Sequence, residues 1–285
     1  WRCGRPLIWD CLTSSSEQVV TAEIFRKDGA MRVVSILSLK GGVGKTSVLL
    51  GFAGAATVRG LATLVIDLDP QGNATSILAA KNPTSTAAEV LANPTINTLH
   101  SSLTECAWEI APGEVDLVAS SPNLIQHDAF KSASAFKPRL ARALEKLEGY
   151  DLVLIDCPPS LGTLAREALA ASDLAVIVAT PTFFGLQGAE RAAEEIEEIR
   201  NTHNKKLKLA GILPNRVKSV AEEHDYRIRE MGRIFGKQIM KPAIPDRIAF
   251  QQAESFGKPI QAVGTAGSRE VSAIFDKHLT TLIRG

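Results

Sequence analysis

Eight residues near the start of the chain read Leu39-Lys40-Gly41-Gly42-Val43-Gly44-Lys45-Thr46. The apolar run from Arg32 to Leu37 before them is typical of a buried strand, and Thr46 to Arg59 carries apolar residues at helical spacing. In such a strand–loop–helix context, glycines let consecutive backbone N–H groups surround phosphate oxygens, and the positive end of the helix faces the same point. The stretch therefore predicts a phosphate-binding loop on an α/β fold.

The side chains of this loop suggest a nucleotide site. We expect Lys45 to meet the β- and γ-phosphates and the Thr46 hydroxyl to ligate Mg²⁺. The usual pattern has a glycine at the position of Leu39, and a second cation, Lys40, follows it. Two lysines five positions apart cannot easily reach the same γ-phosphate, so one is expected to serve a neighbouring subunit. The predicted nucleotide-binding residues of the loop are Lys40, Gly41, Gly42, Val43, Gly44, Lys45, Thr46 and Ser47.

Composition limits the class of protein. The chain has 285 residues, 45% hydrophobic and 22% charged, which is enough for one sizeable core. A net charge of +1 argues against a uniformly basic nucleic-acid binder. No apolar run reaches the roughly 18 residues of a membrane helix. The cysteines show neither C-x-x-C nor zinc spacing, so we expect reduced thiols in a cytoplasmic protein; they are Cys3, Cys11, Cys106 and Cys157.

Residues 1–30 differ from the rest of the chain. They begin with Trp1, show no steady hydrophobic period, and end just before Met31, which opens the first strand pattern. We expect an N-terminal extension that is disordered or not native to the protein. Residues 31–285 are then predicted to form one domain.

Short apolar runs alternate with amphipathic stretches after Met31. Predicted strands are Arg32 to Leu37, Leu64 to Asp67, Val115 to Val118, Leu152 to Asp156, Leu174 to Val178 and Leu207 to Leu213. Predicted helices are Lys137 to Leu147, Leu161 to Ala171, Gly188 to Arg200 and Val220 to Phe235, while Lys81 to Ser102 suggests a surface excursion with one short helix. This alternation predicts a doubly wound, mostly parallel sheet covered on both faces, with ligands at the carboxyl ends of the strands.

Two predicted strands end in carboxylates. Asp156 closes a run of four apolar residues, at a position from which an acid can hold Mg²⁺ through a water molecule. Asp67 and Asp69 follow the second strand and lie on the same side by strand alternation. One of these two acids is expected to order the Mg²⁺ shell and the other to orient an attacking water. The predicted metal-binding residues are thus Thr46, Asp67 and Asp156.

These motifs together resemble a known family. The segments Lys40 to Thr46, Asp67 to Thr75, Tyr150 to Gly162 and Ile244 to Ile260 are similar to the ParA (Soj) partition ATPases, which belong to the deviant Walker A group of P-loop NTPases together with MinD. The resemblance covers nearly everything from Met31 onward. By this resemblance Lys40 reaches across an ATP-sandwich homodimer to the partner's nucleotide, Asp69 positions the hydrolytic water, and Asp156 is the Walker-B acid.

The resemblance also implies a cellular role. ATP and Mg²⁺ would drive dimerisation, and the dimer would bind double-stranded DNA of the nucleoid without sequence preference. A ParB-like partner carrying a basic segment would then stimulate slow hydrolysis and release. The cargo stays open: a chromosome, a plasmid or a protein assembly.

The base and DNA contacts depart from the family pattern. Asn215 stands where the group holds the adenine edge, although an asparagine at a strand end is as often a turn residue. Pro245 matches the family's Pro-x-Asn contact, but Arg247 replaces the asparagine. Lys205 to Lys258 holds twelve Lys or Arg against six Asp or Glu. Two family arginines are missing between Asp246 and Ala249, so compensating DNA contacts are predicted at Lys218, Arg227, Arg229, Arg233 and Lys237, with a solvated helix face as the alternative.

Other functions remain open from the sequence. A MinD-like or other positioning ATPase would act on a membrane or protein surface without DNA, using Val271 to Arg284 as an amphipathic helix, but only Lys277 and Arg284 are basic there. That composition favours a last helix that packs on the core. A ligase of the dethiobiotin synthetase kind has no recognisable pocket motif here, and an iron–sulfur relative would need paired cysteines.

Overall fold

The computed structural model describes residues 31–79, 82–108, 112–128, 136–218 and 220–284. Residues 1–30, for which we predicted an extension, lie outside the described residues. Seven strands form one sheet in the order β3-β4-β2-β5-β1-β6-β7, and every neighbouring pair except β3–β4 is parallel. The strands are β1 (Arg32–Leu37), β2 (Ala62–Asp67), β3 (Leu103–Glu105), β4 (Glu114–Val118), β5 (Leu152–Asp156), β6 (Leu174–Ala179) and β7 (Lys208–Pro214).

Helices connect the strands and cover both faces of the sheet. The α-helices are α1 (Lys45–Val58), α2 (Asn73–Leu78), α3 (Ala87–Ala92), α4 (Ile96–Ser101), α5 (Arg139–Leu144), α6 (Thr163–Ala171), α7 (Phe183–Thr202), α8 (Glu222–Phe235), α9 (Ala249–Ser255) and α10 (Ala266–Arg284). Short 3₁₀ turns span Pro122–His127, Gly236–Gln238 and Ile260–Ala262. The predicted doubly wound, mostly parallel α/β fold is confirmed.

Several predicted boundaries were wrong. The helix predicted from Gly188 begins at Phe183, because the Thr182 hydroxyl accepts a hydrogen bond from the Gly185 N–H at 3.1 Å and caps it. The helix predicted over Lys137 to Leu147 is shorter in the structure, where α5 spans Arg139–Leu144. The excursion predicted to hold one short helix contains two, α3 and α4, and is followed by the antiparallel strand β3, which has no counterpart in the predicted elements.

The core lies on both sides of the sheet. Along β1, Val33 and Leu37 pack with the cluster under α3 to α7, while Val34 and Ile36 pack with the cluster under α1, α9 and α10. Alternation of side chains along the strand produces this division. Because both faces are buried, the strands are continuous apolar runs, as the sequence suggested.

Helix α1 is enclosed by the rest of the fold. Eleven of its fourteen residues are buried, and the Phe275 ring of α10 lies against Gly51, where a Cβ would come within 2.2 Å of that ring. At the far end, Arg59 Nε donates to Asp276 Oδ1 at 2.6 Å. Helix α1, which follows the phosphate loop, is therefore fixed to α10.

Parallel pairing brings the predicted acids together. Asp67 of β2 stands opposite Asp156 of β5, and β5 is also the neighbour of β1, which leads into the phosphate loop. The carboxyl ends of these strands thus share one edge of the sheet. None of the described helices combines the length and apolarity needed to span a bilayer. The described cysteines, Cys106 and Cys157, are free thiols.

Candidate nucleotide-binding site

The predicted phosphate loop joins β1 to α1. Gly42 and Gly44 have φ angles of 75° and 84°, in the left-handed region that side chains disfavour. Gly44 is also the N-cap of α1, so the unpaired N–H groups of the first helical turn face the loop. Lys40, Gly41 and Gly42 are exposed, whereas Val43 is buried and anchors the loop. This arrangement is suited to binding an anion.

Lys45, Thr46 and Asp156 form one buried cluster at the base of the loop. Lys45 Nζ lies 2.6 Å from Asp156 Oδ1, and the Thr46 hydroxyl donates to Asp156 Oδ2 at 2.7 Å. Burial acts to lower the pKa of Lys45, but the neighbouring acidic groups, Asp156 first and then Asp69, leave that pKa above its ordinary value. This shift favours the charged form of Lys45. Asp156 thus pairs with both groups expected to bind phosphate and metal.

The donor set fits a nucleotide with Mg²⁺ better than a metal alone. Within the described ranges, no group of three or more His, Cys, Asp and Glu side chains could hold a metal ion. Mg²⁺ typically binds through one or two carboxylates and completes its shell with water and substrate phosphates. Thr46 and Asp156 supply a hydroxyl and a carboxylate beside the loop, so the residues present fit that mode.

Asp69 lies beside this cluster. Its Oδ2 is 3.6 Å from Lys45 Nζ, and its other oxygen accepts the Gln71 N–H at 3.0 Å. The Asp69 carbonyl accepts the Ser120 hydroxyl at 2.5 Å. Asp69 is only 5% exposed, so a water held by it would be largely shielded from bulk solvent. This position, next to the phosphate cradle, suits an acid that orients a water.

Asp67 is engaged differently from the metal ligand that we expected. One of its oxygens accepts the Asp69 N–H at 3.1 Å, and the other accepts the N–H and hydroxyl of Thr75 at 2.8 and 2.7 Å. Burial, reinforced by the charge of Asp156, raises the pKa of Asp67 to about 7. Both oxygens thus hold the turn that carries Asp69. Sequence reasoning missed Thr75 and Ser120, which the residue pattern does not distinguish from ordinary turn residues.

Two of the predicted loop residues differ sharply in their surroundings. The Lys40 ammonium is exposed, and no hydrogen bond or ion pair joins it to the part of the chain that the structure describes. Only its backbone is held, with its N–H donating to the Ser38 hydroxyl at 3.2 Å. Ser47, by contrast, donates its hydroxyl to Glu254 Oε1 at 2.5 Å. Lys40 is therefore available to a ligand or another subunit, while Ser47 is tied to α9.

The segments that carry Asn215 and Pro245 lie side by side after the end of β7. Val217 N–H donates to the Ile244 carbonyl at 3.0 Å, and Val217 forms a bridge with Pro245. Asn215 is 2% exposed, and its Nδ2 donates to the Val43 carbonyl at 2.7 Å. Its Oδ1 is buried and lacks a hydrogen-bond partner among the described residues. An unpaired buried acceptor is expected to find a donor, and a ligand amino group would supply one.

The predicted DNA-contacting residues are not equivalent. Arg229, Arg233 and Lys237 are exposed along α8 and the 3₁₀ turn that follows it. Arg227 instead pairs with Glu223 and Glu230 of its own helix, at 2.7 and 2.8 Å. Lys218 lies 3.9 Å from Asp246. The intrahelical pairs are a feature that the charge count alone did not show.

A mostly parallel sheet, a phosphate loop at the start of α1 and an acid at the end of the adjacent strand define a P-loop nucleotide-binding protein. A family model described as AAA domain (AAA_31) matches residues 31–209. The chain is 34% identical to "Chromosome partitioning protein ParA" of Myxococcus xanthus over 80% of each chain. It is 31% identical to "Chromosome-partitioning ATPase Soj" of Thermus thermophilus, covering 81% of this chain and 87% of that one. The chain therefore belongs to the ParA/Soj family of partition ATPases, and the predicted family is confirmed.

Solved structures agree on the fold. A point variant of McdA from Cyanothece, in complex with ATP, superposes with a TM-score of 0.77 at 21% identity, over 88% of this chain and 96% of that one. MinD of Pyrococcus horikoshii with Mg-ADP superposes with a TM-score of 0.68 at 20% identity, over 87% of this chain and 97% of that one. A protein described as cobyrinic acid a,c-diamide synthase of Mycobacterium smegmatis, with ADP and magnesium, superposes with a TM-score of 0.67 at 26% identity. The match covers 79% of this chain and 93% of that one. Neighbours of this fold thus bind adenine nucleotides and magnesium.

Proposed function

We propose that the protein is an ATP-dependent dimerising switch of the ParA type, which hydrolyses ATP to segregate or position DNA or another cargo. The observation that carries this proposal is the contrast between the two lysines of the loop. Lys45 is buried against Asp156, whereas Lys40 is exposed and unpaired within the described structure. One lysine serves the phosphates of its own loop, and the other is free to serve a nucleotide held by a second copy.

Hydrolysis then depends on how the side chains exchange partners. When ATP enters the loop, Lys45 and Thr46 leave Asp156 and turn to the phosphates. Bound Mg²⁺ supplies neutralisation of phosphate charge, with Thr46 and Asp156 as the residues that would hold it. Asp69 orients the attacking water from its shielded position beside Lys45. Asp67 holds the turn that carries Asp69.

Dimerisation completes this site. Phosphoryl transfer to water relies mainly on positioning and on neutralising charge at the equatorial oxygens. Lys40 of one subunit supplies a cation to the nucleotide of the other, in the manner of an arginine finger. Turnover is therefore slow in the monomer, and a ParB-like partner that stabilises the closed dimer accelerates it. The buried, unpaired Oδ1 of Asn215 supports a contact with the adenine amino group, next to Pro245.

Charge supports DNA as the surface on which the dimer acts. Twelve basic against six acidic residues lie between Lys205 and Lys258 in a chain of net charge +1. Part of that excess of positive charge is exposed along α8 and the turn after it, at Arg229, Arg233 and Lys237. Non-specific binding to duplex DNA through such residues falls steeply with salt, because each phosphate contact releases counterions. The protein is then associated with the nucleoid in its ATP state.

The packing of α10 argues against the alternative function, in which the protein acts on a membrane. Its apolar residues Val271, Phe275, Leu279 and Leu282 are at most 1% exposed and form part of the core beside α1. A MinD-like membrane helix needs such a face free for lipid. Sedimentation with anionic liposomes and ATP tests this alternative directly. ADP release that depends on a metabolite from a panel would instead favour a ligase.

The main test is a gel-shift on duplex DNA of arbitrary sequence. The full chain is incubated with Mg²⁺ and ATP, ADP or no nucleotide across a salt series, and light scattering records its mass in parallel. We expect retention and a doubled mass with ATP alone. Equal retention in all three states would remove the DNA part of the proposal, and a monomer with ATP would remove the dimer.

A further inference from the structure

The outward-facing carbonyls of the phosphate loop are held by two consecutive residues from the end of β7. A loop that turns its N–H groups toward phosphate must turn neighbouring carbonyl oxygens away from it. Asn215 Nδ2 donates to the Val43 carbonyl at 2.7 Å, and Arg216 Nη1 donates to the Gly42 carbonyl at 2.7 Å. The two consecutive carbonyls of the loop's turn are therefore both fixed from one side.

The backbone at Arg216 is set for this contact. Its φ angle is 56°, which makes it the one non-glycine residue with a positive φ in the described part of the chain. Its neighbours fix that conformation: Asn215 N–H donates to the Ala179 carbonyl at 2.9 Å, and Val217 N–H donates to the Ile244 carbonyl at 3.0 Å. A strained residue held between two sheet-like contacts is a reason to look for a functional role.

The approach of this segment to the loop is close. A Cβ at Gly44 would lie 2.5 Å from Asn215 Nδ2 and 3.5 Å from Arg216 Nε. Two features of Gly44 thus exclude a side chain: its positive φ and the side chains that lie over it. The end of β7 and the loop therefore fit together as one unit.

We propose that Arg216 is a positioning residue of the phosphate loop. Its guanidinium fixes the Gly42 carbonyl, and together with Asn215 it keeps the adjoining N–H groups turned inward before a nucleotide arrives. This inference rests on the proposed binding of ATP by the loop. The role is preorganisation: Arg216 does not touch the reacting atoms, and it lowers the cost of ordering the loop around phosphate.

Two substitutions separate the guanidinium from the backbone conformation. Arg216→Gly removes the side chain but tolerates the positive φ, whereas Arg216→Ala removes the side chain and keeps the strain. If the hydrogen bond to Gly42 matters, both variants weaken phosphate binding. Arg269 offers a matched control, because it is an exposed arginine whose Nη1 also donates to a glycine carbonyl, that of Gly264 at 2.7 Å, away from the loop.

The experiment measures the affinities of wild type, Arg216→Gly, Arg216→Ala and Arg269→Ala for ATP, ADP and adenosine by calorimetry, together with kcat and KM for ATP. We expect both Arg216 variants to lose about tenfold in affinity for ATP and ADP, the scale of one lost hydrogen bond. KM should rise by the same factor, with kcat within about twofold, because a loop held in place in both the bound ground state and the transition state contributes equally to the two. Adenosine affinity and the Arg269→Ala variant should be unchanged.

Several outcomes overturn the inference. Normal ATP affinity in Arg216→Gly would mean that only the backbone conformation matters. An equal loss for adenosine would assign Arg216 to the base, and a fall in kcat with unchanged KM would assign it to the chemical step. Melting curves establish that each variant is folded. Wild-type protein that binds neither ATP nor ADP would refute the proposed function itself, which separates that failure from failure of this inference.

Discussion

Lys45 and Asp156 form a direct ion pair at the base of the phosphate loop, with Nζ and Oδ1 2.6 Å apart. Both side chains are almost completely buried, Lys45 at 7% and Asp156 at 0% exposure. The acid expected to organise Mg²⁺ thus neutralises the lysine expected to bind phosphate. If Lys45 binds phosphate as proposed, it must exchange Asp156 for the ligand.

Substitution Asp156→Asn tests this exchange. Removing one partner of a buried pair leaves an uncompensated charge, so we expect the nucleotide-free variant to lose about 3–5 kcal/mol of stability. ADP alone should restore part of it by pairing with Lys45, while addition of Mg²⁺ should give no further gain. Melting temperatures with ADP, with and without Mg²⁺, measure both effects. Asp151→Asn, which alters an acid that accepts the Ala62 N–H at the other end of β5, is the control. An undiminished gain from Mg²⁺ would contradict the role given to Asp156.

Lys40→Ala should abolish ATP turnover while leaving ATP binding to the monomer. The reason is that a cation supplied across a dimer stabilises charge that develops in the transition state, an effect worth about 10³ to 10⁵ in rate. Phosphate release and ATP affinity are measured on the same preparation. Lys206→Ala, at an exposed lysine remote in sequence from the loop, should behave as wild type. Full hydrolysis by the Lys40 variant would exclude this role.

Asp69→Ala should retain ATP binding and accumulate as an ATP-bound dimer. Its carboxylate lies 3.6 Å from Lys45 Nζ, so its loss removes the group that orients water and leaves the phosphate cradle in place. Light scattering over time in ATP measures the fraction of dimer, which should persist long after wild type has reverted to monomer. Hydrolysis at the wild-type rate would assign the water to another group.

Residues of α8 differ in their predicted contribution to DNA binding. The double substitution Arg229→Ala, Arg233→Ala should reduce the slope of log affinity against log salt by about 0.9 for each DNA phosphate that is no longer neutralised. Arg227→Ala on the same helix should change the slope little, because its guanidinium already pairs with Glu223 and Glu230. Gel-shifts with ATP across salt measure these slopes. If Arg227→Ala reduced the salt slope as much per arginine as the double substitution does, the intrahelical pairs would have to open on DNA.

His278 should make folding stability depend on pH. Burial lowers its pKa, although its Nε2 lies 2.8 Å from the Pro242 carbonyl, to which it can donate. Since the unfolded histidine titrates near 6.5, its contribution is present above about pH 6.5 and is lost as pH falls toward the folded pKa. His278→Gln removes this titration, so wild type should lose stability relative to the variant as pH falls from about 7.5 to 5.5. Denaturant unfolding of wild type and His278→Gln across that pH range measures the difference.

The parts of the fold predicted from sequence are those fixed by local pattern. Continuous apolar runs identified the six parallel strands to within two residues at each end, and glycine spacing identified the phosphate loop. Strand β3 has only three residues, too few for a period to be recognised. The start of α7 was missed because Phe183 and Phe184, at 49% and 67% exposure, obscure its polar and apolar faces.

Contacts between distant residues were beyond pattern reading. Asn215 and Arg216 reach the loop from more than 170 positions away, and nothing in their own neighbourhood indicates which carbonyls they hold. Asp67 illustrates a different limit. Alternation predicted that it lies on the same side as Asp69, but the Thr75 side chain that occupies one of its oxygens becomes a neighbour only when the turn folds back.

The enclosure of α1 divides the nucleotide site into fixed and adjustable parts. With Phe275 seated against Gly51 and Arg59 fastened to Asp276, α1 cannot shift or rotate without dismantling the core. The helix is thus the rigid part of the nucleotide site. Any rearrangement caused by the γ-phosphate must be expressed in the segments after β2 and β5, so we expect hydrogen exchange to change with nucleotide there and to stay unchanged along α1.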